Sequence, residues 1–133
     1  MQTRTTTNHR SPWILAVCVS TALLASCGSI GDTESIRKAG DLAVECRTDE
    51  ALAALDAAEA SGGFSKYMAS LERVGILRDA GRSREATKAL QTYKAQPEMA
   101  SSSDKEVEKS LTDFIDGLRK KRKQNTGSAT CPG

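Results

Sequence analysis

Residues 36–55 read IRKAGDLAVECRTDEALAAL and residues 71–90 read LERVGILRDAGRSREATKAL, a displacement of 35 positions. Glu50-Ala51 followed by Ala54-Leu55 recurs as Glu85-Ala86 followed by Ala89-Leu90. Ahead of these pairs, Ile36, Ala39, Gly40 and Leu42 fall on Leu71, Val74, Gly75 and Leu77, and the basic residues Lys38 and Arg73 coincide. A period in the mid-thirties with two helices per unit is the pattern of a helical-hairpin repeat.

Outward from this repeat the chain stays helical in pattern. Ala, Leu, Glu, Lys and Arg dominate it, and beyond residue 26 the only aromatics are Phe64, Tyr67, Tyr93 and Phe114. Asp32 or Thr33 is expected to cap a first helix reaching about Cys46, with Ile36, Ala39, Leu42 and Ala43 on its apolar face. Thr48 opens a second, striped by Ala51, Leu52, Leu55 and Ala58 and ended by Ser61-Gly62-Gly63. Ser65 opens a third, packing Tyr67, Met68, Leu71, Val74 and Leu77 inward and ending at Gly81. Ser83 caps a fourth, carrying Ala86, Ala89, Leu90 and Tyr93, that stops before Pro97. Ser103 with Glu106 reads as a capping box for the last helix, whose stripe is Val107, Leu111, Phe114, Ile115 and Leu118. The expected fold is all-α. Two hairpins span about 32–63 and 64–97, and residues 98–124 form a capping helix over the open apolar end. A polar tail follows over 125–133.

At these residues the chain resembles the tetratricopeptide repeat family. Gly75 stands where small residues let paired helices approach, Gly81 closes the first helix, Ala86 opens the second, and Leu90 fills the apolar position after it. Pro97 falls close to where that family often has a proline. The resemblance implies that an extended or helical peptide binds in a concave groove lined by the first helix of each unit. Arg37, Asp41, Glu72, Arg73 and Arg78, off or at the edge of the apolar stripes, become the contact residues on that reading. Each can equally serve as a solvated surface charge.

The start of the chain carries a different signal. Residues 1–10 hold Arg4, His9 and Arg10 without an acid, and Trp13 to Ala25 is apolar apart from Ser20 and Thr21. A positive region, an apolar core too short to span a bilayer and small residues at its end make a secretory signal. Leu24-Ala25-Ser26-Cys27 resembles the lipobox of bacterial lipoproteins. That resemblance implies a signal peptide over 1–26 and a mature chain beginning at Cys27. Its sulfur would carry a diacylglycerol and its amino group an acyl chain such as palmitate, with 27–31 as a short tether. Gly28 and Ser29 follow, with no Asp in the place that retains many lipoproteins at the inner membrane. The expected site is the outer membrane, facing the periplasm.

Cys18 then leaves with the signal and Cys27 is lipidated, so Cys46 and Cys131 remain as an even pair in an oxidising compartment. A disulfide between them is expected to hold the polar tail. A redox pair or metal site is disfavoured by the 85-residue spacing, the lack of Cys-x-x-Cys and the lack of a nearby histidine. His9 is the single histidine. A chain cleaved after Ser26 has no imidazole base, which excludes Ser-His-Asp and Cys-His catalysis. Removing Arg4 and Arg10 from 19 basic residues balances them against 17 acidic ones, so nucleic acid is not an expected partner. No enzyme activity, metal or cofactor beyond the covalent lipid is expected.

Arg119-Lys120-Lys121-Arg122-Lys123 is the one strong charge run. It reads as a contact for anionic lipid head groups or an acidic partner, or else as a complement to the C-terminus of the last helix. Taken together, the sequence points to a membrane-anchored periplasmic lipoprotein. It would serve as a protein-interaction scaffold or pilot-type assembly factor for an envelope partner. The alternative is a structural envelope lipoprotein acting through anionic lipid. Oligomeric state stays open.

Overall fold

The computed structural model describes residues 28–132. The expected signal peptide, Cys27 with its expected lipid, and the terminal Gly133 lie outside the described residues. The chain is all-α: α1 (Gly28–Val44), α2 (Thr48–Ser61), α3 (Gly63–Asp79), α4 (Ser83–Lys94), a 3-10 turn (Pro97–Met99) and α5 (Asp104–Thr126). The described residues contain no strand. The first helix begins at Gly28, four residues before the expected cap, so the stretch read as a tether is already helical up to Asp32.

Short links force α1, α2, α3 and α4 into an antiparallel succession, each packed on the next. The 35-residue spacing also separates two matching helix ends. Cys46, at φ 63°, and Gly81, at φ 73°, sit 35 positions apart, each just past the end of the first helix of its hairpin. Each closes the same end motif: Cys46 N–H donates to Ala43 O at 3.1 Å and Arg47 N–H to Leu42 O at 2.9 Å. Their counterparts are Gly81 to Arg78 O at 3.0 Å and Arg82 to Leu77 O at 2.8 Å. These bonds satisfy carbonyls that a helix terminus leaves without partners. The next residues, Arg47 and Arg82, precede α2 and α4, and their guanidinium Nε donates to Glu50 at 2.8 Å and Glu85 at 2.7 Å. Ser83 is therefore the first helical residue of α4 and not its cap. Ser103 does cap α5, through the reciprocal box with Glu106.

α5 does not sit over the end of the stack. It runs diagonally from the C-terminus of α4, where Lys94 Nζ meets Asp104 at 2.8 Å, across α3 to α1. Phe114 and Leu118 join the larger core of Ala39, Leu42, Leu55, Ala69 and Ile76. Val107 and Leu111 join Val74 and Tyr93 in a second cluster. α3 is thus buried on two sides, which accounts for its unbroken buried run Val74, Gly75, Ile76 and Leu77. Its expected stripe holds at Val74 and Leu77, fades to half-buried at Tyr67 and Leu71, and fails at Met68, which is exposed. α5 crosses at Gly75, two turns further along, and leaves the start of α3 uncovered.

The crossing explains Gly75. A Cβ on Gly75 would collide with the Phe114 ring, coming within 2.8 Å of Cε1. Gly40, its counterpart, borders a hollow of about 290 Å³ between α1 and α5 that Phe114 and Leu118 also line. Gly75 thus admits α5, where the family resemblance had implied the second helix of its hairpin, whereas a Cβ on Gly40 would meet nothing within 4 Å.

Candidate interaction surfaces

The face formed by α1 and α3 is held by α5 through a network of charges. At its centre the Arg122 guanidinium, with a side chain only 2 % exposed, meets Asp79 Oδ2 at 2.6 Å. It also donates to Ala43 O at 2.9 Å, Val44 O at 3.2 Å and Ala129 O at 2.8 Å. Four acceptors satisfy the buried cation, as a charge removed from water requires. Arg119 reaches the other oxygen of Asp79 at 2.8 Å, and Lys121 reaches Asp41 at 2.6 Å. Lys121 holds the Asp41 carboxyl below its ordinary value. Nearer the start of α5, Glu108 takes a forked pair of bonds from Arg78 at 2.6 and 3.0 Å, which lowers the Glu108 carboxyl.

This arrangement corrects the reading of the basic run. Arg122 is a buried structural residue and cannot meet lipid, while Arg119 and Lys121 are paired within the fold. Lys120 and Lys123 are exposed. The run also lies beside the C-terminus of α1, about 25 Å along that helix from Gly28 at a rise of 1.5 Å per residue. A lipid on Cys27 would sit at the opposite end.

The five expected groove residues do not converge on one groove. Asp41 and Arg78 hold α5. Arg37 pairs with Glu34 and, at 2.8 Å, with Asp41 on the exposed side of α1. Arg73 faces away from α5, toward α2, where it meets Glu59 at 2.9 Å and Asp56 at 2.5 Å. Glu72 is half-buried, and burial pushes its carboxyl up to about 7. The concave face expected to receive a peptide is filled by the protein's own last helix, which Gly75 lets come close to α3.

Two other concavities bear on binding. α2 and α4 both pack on α3 but do not approach each other, leaving a cleft of about 350 Å³. Leu52, Glu59, Lys88, Ala89 and Thr92 form its walls, and Ser70, Arg73 and Leu77 its floor. Sequence reasoning missed it because Leu52 and Ala89 were read as core. A cue existed in the small side chain of Ala89, which cannot bridge two helices. The second hollow, about 500 Å³, lies between Val44 and the tail around Cys131, with Arg122 in its wall. Four of the five N–H donors of Arg122 are taken by the fold.

Sulfurs of Cys46 and Cys131 are bonded at 2.07 Å, joining the end of α1 to the C-terminal tail as the cysteine count predicts. Among the described residues, no group of three His, Cys, Asp or Glu side chains is placed to hold a metal. No described helix is long and apolar enough to cross a membrane. No protein-family model matches the chain, and no curated protein or solved structure matches it either.

Proposed function

We propose that this chain is a lipid-anchored periplasmic protein whose helical body binds an envelope partner, as a scaffold or a pilot-type assembly factor. The observation that carries the reading is the Cys46–Cys131 bond. Such bonds persist in oxidising compartments, which supports export, and this one leaves Cys27 free for a lipid. A body that begins one residue after Cys27 would ride close to the bilayer, and confinement in two dimensions would raise its effective concentration for a partner on the same membrane. Binding, not catalysis, is the proposed work.

The site moves from the first helices of the hairpins to the α2–α4 cleft. α5 already occupies the former, whereas the latter sets apolar Leu52, Leu77 and Ala89 among the charged groups of Glu59, Arg73 and Lys88, a mixture suited to a helix or an extended segment. In-cell crosslinking, followed by purification from detergent-solubilised membranes, tests this. One dominant envelope protein should be captured with the natural chain and with R37E, and lost with K88E/T92R, which changes two exposed positions on the cleft wall. Capture of lipid alone would refute the adaptor. A partner lost with R37E and kept with K88E/T92R would refute the cleft.

A further inference from the structure

Phe64 is the most exposed large apolar side chain described, at 77 %, and Met68 one turn later is 37 % exposed. Both lie at the start of α3. Gly62 and Gly63, at φ 80° and 59°, turn the chain there without side chains and set Phe64 at the tip of the helix. The antiparallel succession puts this tip at the same end of the molecule as the N-terminus of α1, where the chain enters from Cys27 and the apolar residues before it. The opposite end carries the disulfide and the Arg119, Lys121 and Arg122 pairings.

We propose that Phe64 and Met68 form a bilayer-contacting tip that fixes the body's orientation beneath its lipid anchor. This rests on the anchor reading given above. An anchor alone leaves a rigid body free to tilt, and a phenyl ring at the anchored end selects one tilt. Immersing a phenylalanine side chain stabilises the tip-down state by roughly tenfold in population or more, tenfold being about 1.4 kcal/mol. The neighbouring polar groups suit an interface. Lys66 Nζ lies 5.8 Å from the centre of the Tyr67 ring, keeping a long cationic side chain at the tip that can extend to head groups. The Tyr67 hydroxyl faces the Glu98 carboxylate, which raises its pKa, so its aromatic body and polar end sit together as at a membrane boundary. The orientation points the α2–α4 cleft sideways along the membrane and the Arg122 end away from it.

The test uses the full chain expressed in bacteria, purified from membranes, and returned to vesicles of brominated phosphatidylcholine. A W13F background makes an introduced indole the sole tryptophan. F64W should lose most of its emission to the bromines, and K120W at the far end of the body should lose none. Equal emission from both, or quenching of K120W alone, overturns the tip. Intact mass separates the two layers of inference: an acylated chain with an unquenched F64W keeps the anchor and discards the tip. A chain with no acyl mass discards the anchor and the tip together.

Discussion

Replacing Arg122 with Met should cost the fold about 3 kcal/mol, which identifies the Arg122–Asp79 pair as the bolt holding α5. Removing one partner of a buried ion pair costs roughly 3–5 kcal/mol. Two features place the loss at the lower end. Arg119 stays within 2.8 Å of Asp79, so the carboxylate, whose side chain is 4 % exposed, is not left alone. Methionine also refills much of the volume with apolar atoms. Against that, the Val44 carbonyl loses its Arg122 donor and the Ala43 carbonyl keeps only Cys46 N–H at the very end of α1. For a domain near this size, about 3 kcal/mol corresponds to a fall of roughly 12–24 °C in Tm. R119A, which removes a half-exposed partner, should cost only ~0–1 kcal/mol. Urea denaturation followed by circular dichroism, with the disulfide intact, measures both, and D79N/R122M completes a cycle. The double variant should lose less than the sum of its singles by roughly 1–3 kcal/mol. An R122M protein within about 1 kcal/mol of the natural chain would refute the bolt.

The all-helical fold and its hairpin boundaries were legible because amphipathic spacing and turn glycines are local signals. Thr48, Ser61 and the Ser103–Glu106 box mark helix ends where the sequence puts them. The disulfide followed from counting cysteines. The position of α5 was not legible, since a stripe such as Val107, Leu111 and Leu118 states that a face is buried without saying against what. Gly75 did mark a close approach and its counterpart Gly40 did not, and sequence spacing cannot name the approaching helix. For the same reason Arg122 read as one more charge in a solvated run. Its burial depends on Asp79, Ala43 and Val44, all distant in sequence. The α2–α4 cleft was hidden because alanines such as Ala89 read as core whether or not a neighbour covers them.

Three further results are expected. C46S/C131S should lose about 4.5 kcal/mol, the chain-entropy value for an 85-residue closure. C46G/C131S should recover about 1 kcal/mol of it, because Cys46 occupies a left-handed conformation that glycine adopts freely; equal melting of the two variants would contradict this. G75A should destabilise by roughly 1–3 kcal/mol through overpacking against Phe114, although alanine is otherwise the better helix former. F114A should remove that penalty in the double variant, and an additive double variant would count against the contact. For Glu72, burial raises the folded-state value to about 7 from an ordinary 4.5, so its contribution to stability is whole below about pH 4.5 and lost as pH rises through 7. E72Q should therefore match the natural chain near pH 4.5 and exceed it at pH 8 by up to about 3 kcal/mol. A difference that stays constant with pH, read from urea midpoints, would overturn that assignment.

Intact-protein mass spectrometry of the chain purified from bacterial membranes bears most directly on the proposed function. The expected species starts at Cys27, carries a diacylglycerol and an acyl chain there, and retains the Cys46–Cys131 bond. A species that keeps residues 1–26, or that is cut elsewhere and carries an unmodified Cys27, would contradict the lipid-anchored reading.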